Sequence, residues 1–434
     1  MKAEEVAEAL TISYLSAKKH LEEKISLKSA LYMVSRSRKP GLRALRLARK
    51  ILYNYSIDSY WANELLEKMG LEGVDEKIIL GLILVSIKSG IDLGDPEPLI
   101  RALRRSMKKL WPQSIEPWIG LIKSFKHFKE LFPTPPSYQP WFIRLLYRVL
   151  GREEAWKLIR FQDENKPRTY VVLNTLLSSA ERILEDADKA GVKLVKDGRL
   201  PGIYILERAE DTRSLTTLIR AGYLLVQDFS SYYTVYVADP KPGQIVLDVC
   251  AAPGSKTILM GIWMRNRGLI VSIDSSVKRL YTHLRRVRRA GLRIVEDVVA
   301  DATIQHPLRI QADLAILDPP CSSTGLFWRE PMYKQMIKPR HVKMFAKLQA
   351  KMLESIASQV KPGGYIIYST CSLTLEENEL LIEDFLKKHP DYELSEVDPE
   401  LGSPALRGLE YARRLYPHRD YCNGFFLAKL RRRW

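Results

Sequence analysis

Apolar residues recur at three- and four-residue spacing along most of the first 130 residues, and proline or glycine separates the apolar segments. Such spacing places the apolar side chains on one face of a helix. The pattern predicts helices at Glu4–Leu21, Leu42–Tyr55, Tyr60–Met69, Lys77–Lys88 and Leu99–Leu110. A stretch with four prolines, Leu131–Trp141, breaks the pattern, and one more helix is predicted at Phe142–Phe161. We therefore expect residues 1–160 to form an all-helical domain.

The pattern changes after residue 160. Short runs rich in β-branched and aromatic residues surround one helical segment, Ser178–Ala190. These runs predict strands at Thr169–Thr175, Lys193–Val195, Gly202–Leu206 and Gly222–Val226. Residues 161–240 are therefore predicted to form a small α+β lobe.

From Pro242 onward, apolar strand-like runs alternate regularly with helical segments. Strands are predicted at Ile245–Cys250, Leu269–Asp274, Ile294–Val299, Ala312–Asp318, Gly364–Thr370 and Gly424–Leu430. The helices between them include His341–Val360 and Glu376–Lys388. Alternating strands and helices are typical of a doubly wound, mostly parallel sheet. We expect residues 241–434 to form a Rossmann-like α/β domain, in which ligands bind at the carboxyl ends of the strands.

The composition is that of a globular protein with more than one domain, and its charge is strongly basic. The chain has 434 residues, of which 46% are hydrophobic and 27% charged, and its net charge is +17. Basic residues are concentrated, because segments 1–50 and 101–150 carry +7 and +8 while segments 51–100 and 351–400 carry −6 and −7. Such blocks favour a polyanionic partner, most often nucleic acid, although a basic surface kept for solubility remains open.

Two of the four cysteines carry the candidate chemistry. Cys321 and Cys371 each follow a predicted buried strand, so both are expected to open into one crevice, and Asp318 lies three residues before Cys321. Two thiols and a carboxylate suit covalent catalysis on an electron-poor ring. Cys250 and Cys422 are expected to be inert packing.

Several classes of protein are disfavoured by what the sequence lacks. The cysteines form no CxxC pair and no apolar run approaches the ~20 residues that span a bilayer. The first twenty residues carry acidic side chains and no apolar core of a secretion signal. We expect a cytoplasmic monomer with no metal site and no membrane contact.

The segment between the first predicted strand and helix suggests a nucleoside ligand. It reads DVCAAPGSKT and places the small residues Ala251, Ala252 and Gly254 beside the helix amides, without the glycine patterns of dinucleotide or P-loop sites. The second and third strands end at Asp274 and near Asp301, where an acid can accept a ribose hydroxyl or meet a base edge. S-adenosylmethionine offers a ribose and an adenine without phosphate, and it fits this pattern.

Three segments in this order, DVCAAPGSKT, LDPPCSSTG and YSTCSLTLEEN, resemble the signatures of the RNA cytosine-5 methyltransferase family (the NOL1/NOP2/Sun group, RsmB-like). VQDFSS, Gln349 and NGFFLAKL extend the resemblance, and NTLL resembles part of the family's small RNA-binding lobe. The resemblance covers about residues 165–434. The chain departs from the family at Ser255, where a glycine is frequent, and at Asn423, where an aspartate is usual.

The resemblance implies a role for each matched residue. Cys371 would be the nucleophile, Cys321 would assist breakdown of the covalent adduct, and Asp318 would hydrogen-bond the N3/N4 edge of cytosine. Lys256 would lie near Asp318 and orient it. The implied S-adenosylmethionine-binding residues are Cys250, Ala251, Ala252, Pro253, Gly254, Lys256, Asp274, Arg279, Asp301 and Asp318. By position and helical content, residues 1–150 resemble the NusB-like RNA-binding domain of a bacterial small-subunit rRNA methyltransferase.

The implied function is S-adenosylmethionine-dependent methylation of cytosine carbon 5 in rRNA or tRNA. The DNA version of this chemistry is disfavoured because a second strand-end thiol has no role there. Two alternatives stay open. One is a methyltransferase that acts on an exocyclic amino group through an Asp-Pro-Pro segment and needs no thiol. The other is a non-catalytic RNA-binding assembly factor that retains the methyltransferase fold.

Overall fold

The computed structural model describes residues 3–23, 25–68, 71, 73–93, 96–107, 110, 112, 138–304 and 310–434. Most of the proline-rich stretch Leu131–Trp141 and the end of the predicted helix Leu99–Leu110 lie outside the described residues. The chain divides into two compact units, Met1–Ile143 with Glu330–Met336, and Arg144–Arg329 with Ile337–Trp434. The three-domain division with boundaries at residues 160 and 240 stays a prediction.

The first unit is built from helices around one apolar core. Its helices are α1 Ala3–Glu23, α2 Leu27–Arg38, α3 Leu42–Lys68, α4 Val74–Lys88 and α5 Pro96–Met107. The two helices predicted at Leu42–Tyr55 and Tyr60–Met69 form the single helix α3, because no proline or glycine separates them. The side chain of Ser26 caps α2 by accepting a hydrogen bond from the amide of Ser29.

One predicted helix is two in the structure. The segment Phe142–Phe161 is divided between α6, Pro140–Leu150, and α7, Arg152–Glu164. Gly151 separates them with a φ of 78°, which a residue with a side chain rarely adopts. The periodicity of the apolar residues continues across this glycine, so the pattern alone did not mark the break.

The small lobe is a four-stranded antiparallel sheet with strand order β2-β3-β1-β4. Its strands are β1 Tyr170–Leu173, β2 Val192–Lys196, β3 Ile203–Ala209 and β4 Leu224–Val226. Helix α8, Ala180–Lys189, was predicted, whereas α9, Thr212–Ala221, was not. Ser179 and Asp211 cap these two helices with their side chains.

The large sheet has nine strands, and helix α10, Phe229–Ala238, precedes it. Strands β5 Ile245–Val249, β6 Leu269–Asp274, β7 Val295–Val299, β8 Ala312–Leu317 and β9 Val360–Thr370 pair in parallel. Antiparallel strands β10 Tyr392–Ser395, β11 Ser403–Pro404, β12 Arg413–Leu415 and β13 Phe425–Arg432 complete it, with β13 on β9. The accompanying helices are α11 Ser255–Trp263, α12 Val277–Arg289, α14 Pro339–Ala357, α15 Glu379–Lys388 and α16 Pro417–Asp420, whereas α13, Tyr333–Met336, belongs to the first unit.

The parallel strands lie in the order β7-β6-β5-β8-β9. From β5 the chain first adds β6 and β7 on one side and then crosses back to add β8 and β9 on the other, so the strand order reverses between β5 and β8. A crevice forms at the carboxyl ends of the strands where such a reversal occurs. The ends of β5 and β6 form one side of this crevice, and the ends of β8 and β9 form the other. The predicted fold class, an N-terminal helical region and a Rossmann-like domain with a mixed sheet, is confirmed. Among the described residues, no helix is both long and apolar enough to cross a membrane.

Candidate active site

The structure brings the two predicted catalytic thiols into contact. Cys321 follows β8 after Asp318-Pro-Pro, and Cys371 follows the last residue of β9. The two Sγ atoms lie 2.9 Å apart, and both cysteines are free thiols. The adjacent parallel strands β8 and β9 explain the contact, because their carboxyl ends meet at one edge of the sheet.

The electrostatics of this contact distinguish the two thiols. The hydrogen bond with Cys371, together with burial, raises the pKa of the Cys321 thiol well above its ordinary value. Cys321 therefore stays protonated at neutral pH, with its sulfur within hydrogen-bond distance of the Cys371 sulfur. The Cys371 sulfur also lies 3.7 Å from the hydroxyl oxygen of Ser323.

Asp318 and Lys256 form an ion pair between the two sides of the crevice. Lys256 lies in the first turn of α11, and its Nζ donates a hydrogen bond to Oδ2 of Asp318. The other oxygen of Asp318 accepts a hydrogen bond of 3.4 Å from Ser369 Oγ. The Asp318 side chain is one-third exposed whereas that of Lys256 is 11% exposed, so the carboxylate is open to the crevice and the ammonium group lies behind it.

The predicted cofactor-binding turn, Cys250–Gly254 (the cofactor turn), is held in shape by guanidinium groups from α12. Cys250 and Gly254 have φ values of 65° and 97°, in the left-handed region. Arg279 donates a hydrogen bond to the carbonyl of Ala252, and Arg286 donates one of 3.1 Å to the carbonyl of Pro253. Arg279, which the sequence predicts to bind the cofactor, thus braces the backbone turn that the sequence also assigns to cofactor binding.

The two predicted strand-end carboxylates differ in environment. Asp274 is buried, and its Oδ1 accepts a hydrogen bond of 3.0 Å from the amide of Ser276. Its Oδ2 accepts no hydrogen bond from the described residues and has Arg279 at 3.3 Å as an ion-pair partner. Asp301 is exposed, and its Oδ1 accepts hydrogen bonds from the amide and hydroxyl of Thr303. The residues at Asp274 fit a ribose, because a buried carboxylate oxygen there has an unused acceptor position.

A buried polar chain lies beneath the cofactor turn. Thr257 donates a hydrogen bond of 2.5 Å to Asp248 and contacts Nε2 of His283 at 3.0 Å, and Nδ1 of His283 lies 2.8 Å from Asp297. Burial raises the pKa of Asp248 to about 6. The chain links strands β5 and β7 to the start of α11.

The remaining two cysteines do not belong to the thiol pair. Burial raises the pKa of Cys250 to about 12, and it raises the pKa of Cys422 well above its ordinary value. Both thiols are therefore held protonated, as expected for cysteines that serve as packing. Cys250 contributes to the cofactor turn through its backbone conformation.

A residue that the sequence reasoning missed, Glu377, connects the loops of the two thiols. Its side chain is fully buried, and its carboxylate accepts hydrogen bonds from Ser322, Gln349, Ser372 and Thr374. Ser322 follows Cys321 and Ser372 follows Cys371, so the repeated Cys-Ser pair was a signal in the sequence.

The C-terminal strand closes against the same loops. The amide of Gly325 donates to the carbonyl of Cys371, and the amide of Gly424 donates to the carbonyl of Gly325, both at 2.9 Å. A side chain on Gly325 would lie 1.9 Å from the Gly424 carbonyl oxygen, so only glycine fits. Asn423, where the sequence departs from the family, accepts a hydrogen bond from Arg329.

No group of three or more histidine, cysteine, aspartate or glutamate side chains among the described residues could hold a metal ion.

The chain is similar in sequence to known proteins, and the matched residues include the candidate site. Residues 235–431 match the family model of 16S rRNA methyltransferase RsmB/F. The tRNA (cytosine(72)-C(5))-methyltransferase of Pyrococcus horikoshii is 34% identical over 277 residues, which are 58% of this chain and 69% of that protein.

Two solved structures extend the match. The crystal structure of PH0851 superposes with a TM-score of 0.81 at 24% identity, covering 100% of this chain and 99% of that one. The structure of NSun6 from Pyrococcus horikoshii with SFG, an S-adenosylmethionine analogue, gives a TM-score of 0.63 at 24% identity, covering 69% and 99%. At these identities the likeness shows the fold alone.

The fold and these matches define a Rossmann-like methyltransferase. The chain belongs to the RNA cytosine-5 methyltransferase family, and the two alternative functions are not favoured.

Proposed function

We propose that this chain transfers a methyl group from S-adenosylmethionine to carbon 5 of a cytosine in rRNA or tRNA, through a covalent bond between Cys371 and carbon 6. The observation that carries the proposal is the pair of free thiols 2.9 Å apart in a crevice that also holds the Asp318–Lys256 ion pair. The family model is named for an rRNA enzyme and one relative for a tRNA enzyme, so both RNA classes remain in the proposal.

The chemistry requires a nucleophile because carbon 5 of cytosine is too electron-poor to attack a methyl group unaided. The Cys371 thiolate adds to carbon 6, and the electrons of the C5–C6 double bond move to carbon 5. Asp318 hydrogen-bonds the N3/N4 edge of the cytosine while negative charge develops on the ring. Lys256 orients the Asp318 carboxyl group through their ion pair.

The protonated Cys321 thiol supports both halves of the reaction. Before attack, a hydrogen bond from its S–H would stabilise negative charge that develops on the Cys371 sulfur, 2.9 Å away. Bond formation at Cys371 removes the hydrogen-bond partner that, together with burial, raises the pKa of Cys321. Cys321 then passes its proton to solvent water, and its thiolate accepts the proton on carbon 5. As that proton leaves, the C5–C6 double bond re-forms and the Cys371 thiolate is expelled.

The cofactor side of the crevice fits S-adenosylmethionine. When bound, this group supplies a methyl attached to a positively charged sulfur, together with a ribose and an adenine. The free position on Asp274 Oδ2 suits a ribose hydroxyl, and the turn at Ala251–Gly254 leaves the backbone open to close approach. The analogue bound in NSun6 from Pyrococcus horikoshii supports this choice. Asp301 is proposed to lie at the base edge.

The RNA partner is supported by charge. One face of α12 exposes the basic residues Lys278, Arg285, Arg288 and Arg289, and none of them forms an ion pair with a described residue. Exposed Tyr281 lies on the same helix and offers a ring for base stacking. Helix α12 carries no acidic residue, so the phosphate groups of RNA could contact its basic side chains without repulsion from a carboxylate of the same helix.

Adduct trapping tests the proposal. Wild-type protein, Cys321→Ala and Cys371→Ala are incubated with total RNA and labelled S-adenosylmethionine and then run on denaturing gels. We expect a covalent RNA–protein band to accumulate in Cys321→Ala and to be absent in Cys371→Ala. A band kept in Cys371→Ala and lost in Cys321→Ala would exchange the two roles. No band and no label transfer in any form would contradict the proposed activity.

A further inference from the structure

Glu377 is a carboxylate buried without a cation. Its side chain is fully buried, and no described lysine, arginine or histidine forms an ion pair with it. Burial of a carboxylate is costly unless hydrogen-bond donors replace its water. The neighbouring buried acid, Glu379, differs because it is paired with Arg414. Hydrogen-bond donors around Glu377 must therefore compensate for the burial of its carboxylate.

The donors around Glu377 come from three separate segments of the chain. Oε1 accepts hydrogen bonds from the amide of Ser322 at 2.8 Å and from Gln349 Nε2 at 2.9 Å. Oε2 accepts hydrogen bonds from the hydroxyls of Ser322, Ser372 and Thr374, the last two at 2.6 and 2.9 Å. Five donors to one carboxylate give it the hydrogen bonding that it would have in water.

The arrangement of these donors relates Glu377 to the thiols. Ser322 and Ser372 are the residues that directly follow Cys321 and Cys371, and one carboxylate binds both. Gln349 adds a third link, because its Nε2 also donates to the carbonyl of Pro320, the residue before Cys321. The loop of Cys321 is thus fixed on both sides of the thiol. Movement of either loop would break hydrogen bonds in a site closed to water.

We propose that Glu377 is a positioning residue that sets the contact between Cys321 and Cys371. It touches neither thiol and lies outside the crevice, and it acts through Ser322 and Ser372. The inference rests on the proposed function, in which one thiol must first stabilise and then release the other. A shift of about 1 Å between reacting groups can cost roughly 100-fold in rate.

The substitution Glu377→Gln tests the proposal while it conserves volume. An amide has one acceptor oxygen, so either the two N–H donors or the three hydroxyls would face an NH₂ group. The matched control is Glu376→Gln, the same change at the adjacent residue, whose partly exposed side chain pairs with Arg148. Both variants are made in the full chain, and their thermal unfolding is compared with that of wild type.

Two measurements separate positioning from general stability. The first is kcat against KM for methyl transfer to RNA. We expect Glu377→Gln to lower kcat by about 10- to 100-fold, with KM for RNA and Kd for S-adenosylmethionine within about twofold of wild type. The second is the rate at which diamide joins Cys321 and Cys371 in a disulfide, taking up the two thiol hydrogens. We expect this rate to fall about tenfold, while Glu376→Gln retains wild-type values in both assays.

The disulfide assay needs neither RNA nor methyl transfer, so it separates failure of the inference from failure of the proposed function. Wild-type disulfide formation and wild-type kcat in Glu377→Gln would overturn the inference alone. If Glu377→Gln does not fold, Ser322→Ala and Ser372→Ala each remove one hydroxyl donor. We then expect both to slow diamide coupling about threefold or more, and wild-type rates in both would overturn the inference.

Discussion

The two sides of the crevice are built in different ways. On the thiol side, buried side-chain hydrogen bonds fix both loops, and one carboxylate receives donors from each. On the cofactor side, the backbone turn is braced by surface guanidinium groups, and a buried acid keeps an unused acceptor position. The first arrangement holds two reacting atoms at a fixed separation. The second leaves room and hydrogen-bonding capacity for a ligand that must enter and leave.

The largest expected effect comes from removing Cys371, the proposed nucleophile on the thiol side. Cys371→Ala should abolish methyl transfer, with a loss of at least about 10⁴-fold, because no other group can form the bond to carbon 6. Its Kd for S-adenosylmethionine should stay within about twofold of wild type. Label transfer to RNA and calorimetric titration with the cofactor measure the two quantities. A cofactor affinity that falls together with activity would show that the two sides are not separable.

The opposite pattern is expected on the cofactor side. Asp274→Ala should weaken cofactor binding by roughly 10- to 100-fold, because it removes a hydrogen bond to a charged acceptor. The rate at saturating cofactor should change only a few-fold. A smaller loss of cofactor affinity is expected for Asp301→Ala, since Asp301 is exposed and Thr303 already occupies one of its oxygens. Equal losses in the two variants would contradict the special environment of Asp274.

Strand β5, on the cofactor side of the crevice, carries a buried carboxyl group that predicts a pH dependence of stability. Burial raises the pKa of Asp248 to about 6, so the folded state holds this proton more tightly than the unfolded chain, where aspartate titrates near 4. The stabilising contribution is complete below pH ~4, is lost as pH rises through ~6, and amounts to about 3 kcal/mol.

Asp248→Asn should remove this dependence. The unfolding free energy of the variant minus that of wild type should rise between pH 4 and 6 and stay level above pH 6. His283, Lys256 and Asp318, which act electrostatically on Asp248, are present in both proteins. Urea titrations at several pH values measure the difference. A difference in unfolding free energy that does not vary between pH 4 and 6 would contradict a raised pKa of Asp248 in the folded protein.

The smallest expected effect lies on the surface of α12. Arg285→Ala should weaken RNA binding a few-fold and lower the slope of log affinity against log salt by about 1, with cofactor binding unchanged. Arg286→Ala on the same helix should weaken cofactor binding instead, since that guanidinium holds the carbonyl of Pro253. Filter binding over a range of salt concentrations and cofactor titration distinguish the two. If both variants changed RNA binding and cofactor binding to the same extent, α12 would not have one side that binds RNA and another that supports the cofactor turn.

The sequence predicted those features that depend on short segments. Apolar runs that end in Asp-Pro-Pro-Cys and Thr-Cys located the strands, and the parallel sheet then required Cys321 and Cys371 to meet. The small residues before α11 likewise indicated the cofactor turn. Each of these inferences needs only local pattern and the general geometry of parallel sheets.

Features that depend on several distant segments were beyond the pattern. The donors to Glu377 come from residues 322, 349, 372 and 374, and no periodicity relates them. The bracing of the cofactor turn by Arg286 joins residues 33 positions apart. The break at Gly151 rests on one glycine with a φ of 78°, across which the apolar periodicity continues.

The contact between the two sulfur atoms limits how this protein can be labelled by thiol reagents. Cys250 and Cys422 are held protonated by burial, so they react slowly with an alkylating agent. Cys321 and Cys371 share one opening with 2.9 Å between their sulfurs, and a group attached to either sulfur occupies the space in front of the other. A chain with four free cysteines should therefore take up a single equivalent of iodoacetamide, and intact-mass spectra should show one added mass where the composition suggests four.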